Sequence, residues 1–253
     1  MDIYLINLDA RPDRLAFMHK QLSARNLPYV RIAAIDGLTS RDIGYPTDHP
    51  HLSKPEYACY LSHVECWTRF VHSGAPMCLI LEDDVVFGAR FSMILAHSAF
   101  FNHGACITKL ETRIYPMKLS RKRYMVHKGI SLRRHGTYEG GTAAYVITRA
   151  YAQYMLQFYR IPYHPVDDQL LDKRHSAFKR HIILQLDPAV SIQRLFLDPA
   201  SKNYDIHSDL QLQRVAPEIK YLKPGILHKI LRRYYRVWKR IFYKTTLVPF
   251  DEE

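Results

Sequence analysis

Cysteine is scarce in this chain of 253 residues. The four cysteines, Cys59, Cys66, Cys78 and Cys106, lie within periodic apolar segments and lack the paired spacing of a zinc site or a disulfide framework. The fourteen histidines are scattered and show no zinc spacing either. The sequence therefore argues against a disulfide-stapled domain and predicts reduced cysteines in a core.

Long hydrophobic runs are also missing. The apolar stretch at residues 77–81 is far shorter than the roughly 20 residues that a membrane-spanning helix needs. Near the start, Asp2 stands where a secretory signal would be basic, and no small-residue cleavage site follows. We therefore expect a cytoplasmic protein whose contact with a membrane, if it has one, is peripheral.

Acidic residues are outnumbered, with 24 Asp and Glu against 36 Lys and Arg, for a net charge of +12. This balance favours an anionic partner such as a nucleotide, a nucleic acid, an anionic lipid or a phosphorylated glycan. The chain is 47% hydrophobic and long enough for one sizeable domain with a C-terminal appendage. We place the domain at residues 1–217 and the appendage at residues 218–253.

Strand and helix patterns alternate through the first half. Ser53 and Glu56 form the Ser-x-x-Glu pattern of a capping box at a helix start, and Gly74 is a suitable C-terminal stop. The alternation predicts an α/β sandwich with a mainly parallel central sheet. The predicted strands cover residues 3–8, 29–35, 77–81, 105–110 and 142–148, and the predicted helices residues 12–26, 54–73 and 149–158.

The appendage has a different composition. After Pro224 and Gly225, residues 226–244 combine Leu, Ile, Trp and Phe with many Lys and Arg at helical spacing. This predicts a basic amphipathic helix that contacts an anionic membrane surface, or else a charged helix packed on the protein itself. A nucleic-acid-binding protein is an alternative, but no recognisable reading motif accompanies the basic segment, so no nucleic acid is expected.

Three carboxylates follow the predicted third strand. Glu82, Asp83 and Asp84 come directly after its apolar run, at the sheet edge where open α/β sheets bind ligands. Carboxylate oxygens suit Mn²⁺ or Mg²⁺, and such an ion could offset the charge of a departing nucleoside diphosphate. We predict Glu82 and Asp84 as the metal ligands. A solvated acidic turn is the plainer reading, and a metal-dependent phosphotransferase would use the same feature.

A series of short motifs occurs in one order along roughly residues 1–175. The motifs are Ile6-Asn7-Leu8-Asp9-x-Arg11-x-x-Arg14, Cys59-x-x-Ser62-His63-x-x-x-Trp67, Leu79-Ile80-Leu81-Glu82-Asp83-Asp84-Val85, Lys109-Leu110-Glu111, Gly141-Thr142-Ala143-Ala144-Tyr145-Val146-Ile147 and Pro165-Val166-Asp167. In this order they resemble glycosyltransferase family 25, the lipooligosaccharide galactosyltransferase group. The usual Gly before the cysteine of the second motif is Ala58 here, and the resemblance is weak after Asp172.

The resemblance implies a GT-A-like fold and a defined reaction. The expected donor is a UDP-hexose, with galactose first, and the expected cofactor is Mn²⁺ or Mg²⁺. The expected acceptor is a lipid-linked oligosaccharide of lipooligosaccharide or lipopolysaccharide, reached on the inner face of the cytoplasmic membrane. Transfer is expected to invert the anomeric carbon.

Several matched residues are assigned to the donor site. The guanidinium forks of Arg11 and Arg14 suit a diphosphate or the uracil edge, although arginine is also common at a solvated helix start. Asn7 either orients the first loop by a side-chain hydrogen bond or is a simple polar residue at a strand end, and Asp83 is assigned to the donor site with these residues. His63 either faces the donor or is a hydrogen-bonded structural histidine.

The remaining candidates concern the acceptor side. Lys109 and Glu111, two residues apart on a presumed strand, form either a buried ion pair or a diphosphate-binding Lys with an acceptor-facing Glu. An inverting transfer needs a base for the acceptor hydroxyl, and Asp167 is the leading candidate, with Glu111 second. Asp167 and Asp168 could instead cap a helix.

Overall fold

A computed structural model of the chain describes residues 1–46, 51–136, 140–171, 182–197 and 241–252. Its helices are α1 Pro12–Ser23, α2 Lys54–Ser73, α3 Phe91–Ala96, α4 Arg149–Phe158, α5 Val166–Leu171 and α6 Arg194–Leu197, with a 3-10 helix at Ser98–Phe101. Its strands are β1 Asp2–Asn7, β2 Val30–Ala33, β3 Met77–Glu82, β4 Val85–Phe87, β5 Ile107–Lys109, β6 Glu111–Thr112, β7 Pro116–His127, β8 Ile130–His135, β9 Ala144–Thr148, β10 Ile183–Asp187, β11 Ser191–Gln193 and β12 Tyr243–Leu247.

The central sheet has nine strands in the order β12-β7-β8-β10-β5-β9-β3-β1-β2. β1 pairs in parallel with β2 and β3, whereas β9 lies antiparallel between β3 and β5. The pairings give one direction to β1, β2, β3, β5, β7 and β10, and the opposite direction to β8, β9 and β12. The predicted α/β class with most strands in one direction is confirmed.

Hydrophobic cores lie on both faces of this sheet. Leu5 of β1 packs in one cluster with Met18 of α1, and Ile6 packs in another with Trp67 of α2. Successive side chains of a strand point to opposite faces, so the continuous apolar runs of the central strands supply both cores. All four cysteines are free and are buried or partly buried, as predicted.

The start and end of α2 follow the predicted capping pattern. The Ser53 hydroxyl accepts a hydrogen bond from the Glu56 backbone N–H (3.4 Å), and the Ser53 N–H donates to Glu56 Oε2 (2.9 Å). Gly74 ends the helix with φ +83°, a left-handed conformation that costs glycine little. These signals place twenty helical residues against the sheet.

A second, three-stranded sheet in the order β4-β11-β6 was not predicted. The strand expected at residues 105–110 covers only Ile107–Lys109, which form β5. Glu111 begins β6 in the small sheet. Lys109 and Glu111 therefore do not share a strand, contrary to expectation. The chain leaves the central sheet at Leu110, whose carbonyl accepts hydrogen bonds from the N–H groups of Val190 and Ser191 (both 3.0 Å).

The C-terminal appendage is described only in part. Most of the predicted amphipathic helix, and the boundary at residues 217 and 218, fall outside the described residues. The last two residues of the predicted helix, Tyr243 and Lys244, belong instead to β12. This strand pairs antiparallel with the long strand β7, which was not predicted. Backbone pairing at the sheet edge thus replaces the helix there. Among the described helices, none has the length and apolar character needed to cross a membrane.

The residues after β12 are tied to the small sheet. Thr112 Oγ1 donates a hydrogen bond to the Val248 carbonyl (2.7 Å), and the buried Asp251 carboxylate accepts from the backbone N–H (2.8 Å) and Nε (2.6 Å) of Arg90. Gly88 lies directly against the Asp251 backbone, so a Cβ atom at position 88 would overlap the Asp251 carbonyl oxygen. The end of the described chain therefore packs against the small sheet and the residues that follow β4.

We expect Gly88→Ala to destabilise the protein by about 3 kcal/mol, because the added methyl group meets backbone that cannot rotate away. Urea unfolding followed by circular dichroism would measure the loss. Gly104→Ala is the control: Gly104 has φ +67° and no described atom near its Cβ position, so it should cost only the backbone penalty of about 1 kcal/mol. Equal stability of Gly88→Ala and wild type would contradict this packing.

Candidate active site

A cavity of about 250 Å³ lies at the carboxyl edge of β1 and β3. Its walls come from the loop into α1 and the first turn of that helix, residues 34–38 after β2, one face of α2 and the acidic residues at the end of β3. The predicted donor-site residues that line it are Asn7, Arg11, Arg14, His63, Glu82, Asp83 and Asp84. The structure therefore brings the opening arginines and the carboxylates to one cleft.

Asp83 is held within the protein. Asn7 Nδ2 donates a hydrogen bond to its Oδ2 (2.7 Å), and Arg14 Nη1 forms an ion pair with its Oδ1 (3.4 Å). Arg31 Nε in turn donates to Asn7 Oδ1 (3.0 Å). Burial raises the pKa of Asp83, while Asn7 and Arg14 act in the opposite direction. These contacts fix the loop that enters α1 against the end of β3.

The hydrogen bonds that Glu82 and Asp84 accept are long and come from uncharged donors. Gln193 Nε2 lies 3.3 and 3.2 Å from the two Asp84 oxygens, and Thr142 Oγ1 lies 3.4 Å from Glu82 Oε1. Burial, followed by repulsion from neighbouring carboxylates, raises the pKa of both acids. A bound cation would relieve that repulsion.

The donor set of Glu82 and Asp84 fits a hard divalent cation. Mg²⁺ and Mn²⁺ are commonly held by one or two carboxylates, with water and phosphate oxygens as the other ligands. The described residues contain no group of three or more His, Cys, Asp or Glu side chains arranged to hold an ion. The cation at Glu82 and Asp84 therefore stays a prediction.

The segment at residues 141–143 joins the carboxylates of the site. The Gly141 N–H donates a hydrogen bond to Asp167 Oδ2 (3.2 Å), and the Ala143 N–H donates one to Glu111 Oε1 (2.8 Å). Between them, the Thr142 hydroxyl lies near Glu82 Oε1. Gly141 adopts φ +99°, which favours glycine. One short stretch of chain thus sets the positions of three acids from three different elements.

Three predicted residues do not line the cavity: Lys109, Glu111 and Asp167. Asp167 is buried in the first turn of α5, close enough to Glu82 to raise the pKa of that acid. Burial raises the pKa of Glu111, and the charge of Lys109 partly offsets this effect. Lys109 Nζ donates to the Gly140 carbonyl (3.0 Å). Their roles in the reaction remain predictions.

His63 is both buried and hydrogen-bonded. Its side chain is 0% exposed, and its Nδ1 lies 2.9 Å from the Tyr145 hydroxyl. Trp67 Nε1 donates to the same hydroxyl (3.0 Å). Burial lowers the pKa of His63 to about 4, so the ring is neutral near pH 7. Its Nε2 lies 3.5 Å from Glu82 Oε1, which places the ring at the cavity wall.

Sequence reasoning gave no role to Tyr145, Thr142 or Gln193. The period of two along β9 puts Tyr145 on the same face as Ile147, toward α2, and this signal could have revealed it. Gln193 carries no such signal. It reaches Asp84 only because β11 pairs with β4 in the small sheet.

Comparison with known proteins supports the family that the motifs indicate. A family model described as glycosyltransferase family 25 (LPS biosynthesis protein) matches residues 1–170. The chain is 26% identical to the lacto-N-neotetraose biosynthesis glycosyltransferase LgtB of Neisseria meningitidis serogroup A, over 77% of this chain and 75% of the relative. It is 27% identical to the lipooligosaccharide biosynthesis protein lic2B of Haemophilus influenzae, over 98% of each protein.

Among solved structures, the chain matches a glycosyltransferase involved in the glycosylation of the major capsid of PBCV-1. The TM-score is 0.42 and the identity 7%, over 76% of this chain and 93% of that chain. A TM-score and an identity this low give no information about the site. The family model, which spans most of the chain and all the motifs from Ile6 to Asp167, is decisive. The chain belongs to glycosyltransferase family 25, and its enzyme class is that of a glycosyltransferase.

Proposed function

We propose that this enzyme transfers a hexose, galactose first among the candidates, from a UDP-sugar to a lipooligosaccharide or lipopolysaccharide glycan, with inversion and with a divalent cation. One observation carries the proposal: Arg11 and Arg14 at the start of α1 and the carboxylates at the end of β3 line a single cavity. Guanidinium groups together with an acidic pair that could hold a metal ion suit a nucleoside diphosphate. The relatives named for surface-glycan biosynthesis support the acceptor class.

On the donor side, Glu82 and Asp84 would hold the cation. When bound, Mn²⁺ or Mg²⁺ supplies positive charge to the leaving diphosphate. Arg11 lines the cavity, and its guanidinium, which also pairs with the exposed Asp13 (3.3 Å), would bind diphosphate oxygens. Arg14 also lines the cavity, but its ion pair with Asp83 gives it a second task, which is to hold the loop in place.

On the acceptor side, Asp167 is the proposed base. Its two oxygens accept hydrogen bonds from the backbone N–H groups of Gly141 and Asp168 (3.2 and 3.0 Å), which orient the carboxylate. It lies within electrostatic reach of Glu82, and hence of the proposed metal. It would take the proton of the acceptor hydroxyl as that oxygen attacks the anomeric carbon. Glu111 is the second candidate.

The other functions considered from the sequence lose their support. A nucleic-acid-binding protein and a metal-dependent phosphotransferase both fit the charge or the acidic strand end, but neither fits membership of a glycosyltransferase family. Product analysis separates them directly, because glycosyl transfer releases UDP and extends the glycan together.

We expect Asp84→Asn to lower turnover of UDP-galactose by at least about 100-fold, the order of loss when one electrostatic stabiliser of a leaving charge is removed. UDP release with solubilised lipooligosaccharide acceptor would measure this, across a panel of UDP-hexoses. The variant should also lose the thermal stabilisation that UDP gives wild type in the presence of Mn²⁺.

Glu65→Gln is the matched control. Glu65 is an exposed carboxylate on α2 that pairs with Arg69, and it does not line the cavity. The control should keep full activity and full Mn²⁺-dependent stabilisation. Normal turnover by Asp84→Asn would show that Asp84 is not a metal ligand.

We expect Asp167→Asn to lower kcat by about 100-fold or more with little change in KM for the donor, because a general base acts on the acceptor proton in the transition state. Steady-state kinetics would separate kcat from KM. Asp168→Asn, one residue along the same helix, should remain near wild type. If Glu111→Gln shows the large loss in kcat and Asp167→Asn does not, Glu111 is the base.

We also propose that residues 226–244 bind an anionic membrane surface. The described end of this segment supports it, since Ile241 and Phe242 are 60% and 50% exposed. Co-sedimentation with phosphatidylglycerol vesicles should fall at least several-fold in the double variant Arg232→Glu, Arg233→Glu. The control, Arg121→Glu with Lys122→Glu, reverses two exposed charges on β7 and should still bind. Equal binding by both double variants would place the contact elsewhere.

A further inference from the structure

Three side chains form a hydrogen-bonded chain that leads from the core to the cavity. Trp67 Nε1 lies 3.0 Å from the Tyr145 hydroxyl, and that hydroxyl lies 2.9 Å from His63 Nδ1. On the other side of the ring, His63 Nε2 lies 3.5 Å from Glu82 Oε1. Trp67, Tyr145 and His63 are all almost completely buried, whereas Glu82 borders the cavity.

The direction of this chain follows from the chemistry of its first member. An indole N–H can only donate, so Trp67 uses the Tyr145 oxygen as an acceptor. The single proton of that hydroxyl is then directed to His63 Nδ1, which must carry a lone pair. A neutral imidazole with Nδ1 as acceptor has its proton on Nε2. The Nε2–H group therefore points toward Glu82.

The opposite tautomer would leave two groups in conflict. With the proton on Nδ1, the Tyr145 oxygen would accept from both His63 and Trp67, and its own proton would lack this acceptor. The lone pair of Nε2 would then face a carboxylate oxygen of Glu82, which is repulsive. Buried polar groups without partners cost free energy, so the arrangement that uses every proton is favoured.

We propose that Trp67 and Tyr145 fix the tautomer of His63, and that His63 is a positioning residue that orients the Glu82 carboxylate through Nε2–H. The separation of 3.5 Å is longer than an ordinary hydrogen bond, and apart from Glu82 no described group satisfies Nε2. Partners of this kind set the orientation of metal-binding side chains, and the inference rests on the proposed role of Glu82.

The surroundings leave the ring little freedom. The rings of His63 and Tyr145 are stacked, with centroids 5.8 Å apart and planes 23° apart. His63 and Trp67 are one turn apart on α2, and Tyr145 is part of β9, which pairs with β3. His63 is thus held both by α2, on which it lies, and by β9, which pairs with the strand that carries Glu82. Such rigid support is what a precisely oriented ligand needs.

The tautomer can be measured without any assay of activity. In long-range ¹H–¹⁵N spectra of protein labelled at histidine nitrogens, the His63 signals are those that disappear in His63→Gln. We expect one protonated nitrogen, Nε2, and an unprotonated Nδ1. In Tyr145→Phe we expect the two tautomers to mix. A wild-type spectrum with Nδ1 protonated would overturn the proposal.

Kinetics test the consequence at Glu82. Tyr145→Phe should raise the Mn²⁺ concentration needed for half-maximal activity about 10-fold, the usual size of such outer-shell effects. Tyr60→Phe is the matched control, since it removes another buried hydroxyl beside Trp67, one that donates to the Tyr159 carbonyl (2.7 Å) away from the cavity. It should leave the Mn²⁺ dependence unchanged. Equal Mn²⁺ dependence in the two variants would overturn the positioning role.

These results distinguish the inference from the proposed function. If wild type shows no Mn²⁺ dependence at all, the metal role of Glu82 fails, whatever the tautomer of His63 is. If wild type needs Mn²⁺ and Tyr145→Phe needs no more than wild type does, the metal site stands and the positioning role of His63 is wrong.

Discussion

The crowding of carboxylates at the end of β3 is the constraint around which the site is built. Like charges withdrawn from water repel, and each needs a partner. Asp83 accepts a hydrogen bond from Asn7 and pairs with Arg14. Among the described residues, the hydrogen-bond donors to the neighbouring Glu82 and Asp84 are uncharged, and these bonds are long. The fold therefore pairs the middle acid with an arginine, whereas the hydrogen bonds that the described residues donate to the outer two come from uncharged groups, and this difference is the physical basis of the proposed cation site.

The antiparallel strand β9 explains how the acids are gathered. It lies between β3 and β5, with Leu81 opposite Ala144 and Lys109 opposite Tyr145. Because β9 runs the other way, its first residues lie at the edge where β3 and β5 end. The segment at residues 141–143 can then donate to Glu82 at the end of β3, to Glu111 after β5 and to Asp167 of α5. A fully parallel sheet would have placed it at the opposite edge.

Local signals made much of the framework predictable. The capping box at Ser53, the glycine stop at Gly74 and the apolar runs of β1 and β3 depend on neighbouring residues, and the structure has them at or near the expected positions. Long-range pairing was not predictable in this way. The small sheet, the separation of Lys109 from Glu111 and the strand at residues 243–247 depend on hydrogen bonds between distant segments, which overrode the local pattern.

The sequence by itself determined the family, the α/β class and the presence of acids and arginines at strand ends, because periodicity and motif order are local properties of the chain. Only the tertiary structure decided which of these residues share a cavity, which acid is paired with an arginine, and that Tyr145 lies between His63 and Trp67. Distances between side chains from different strands depend on register and crossing direction, and no short stretch of sequence encodes these.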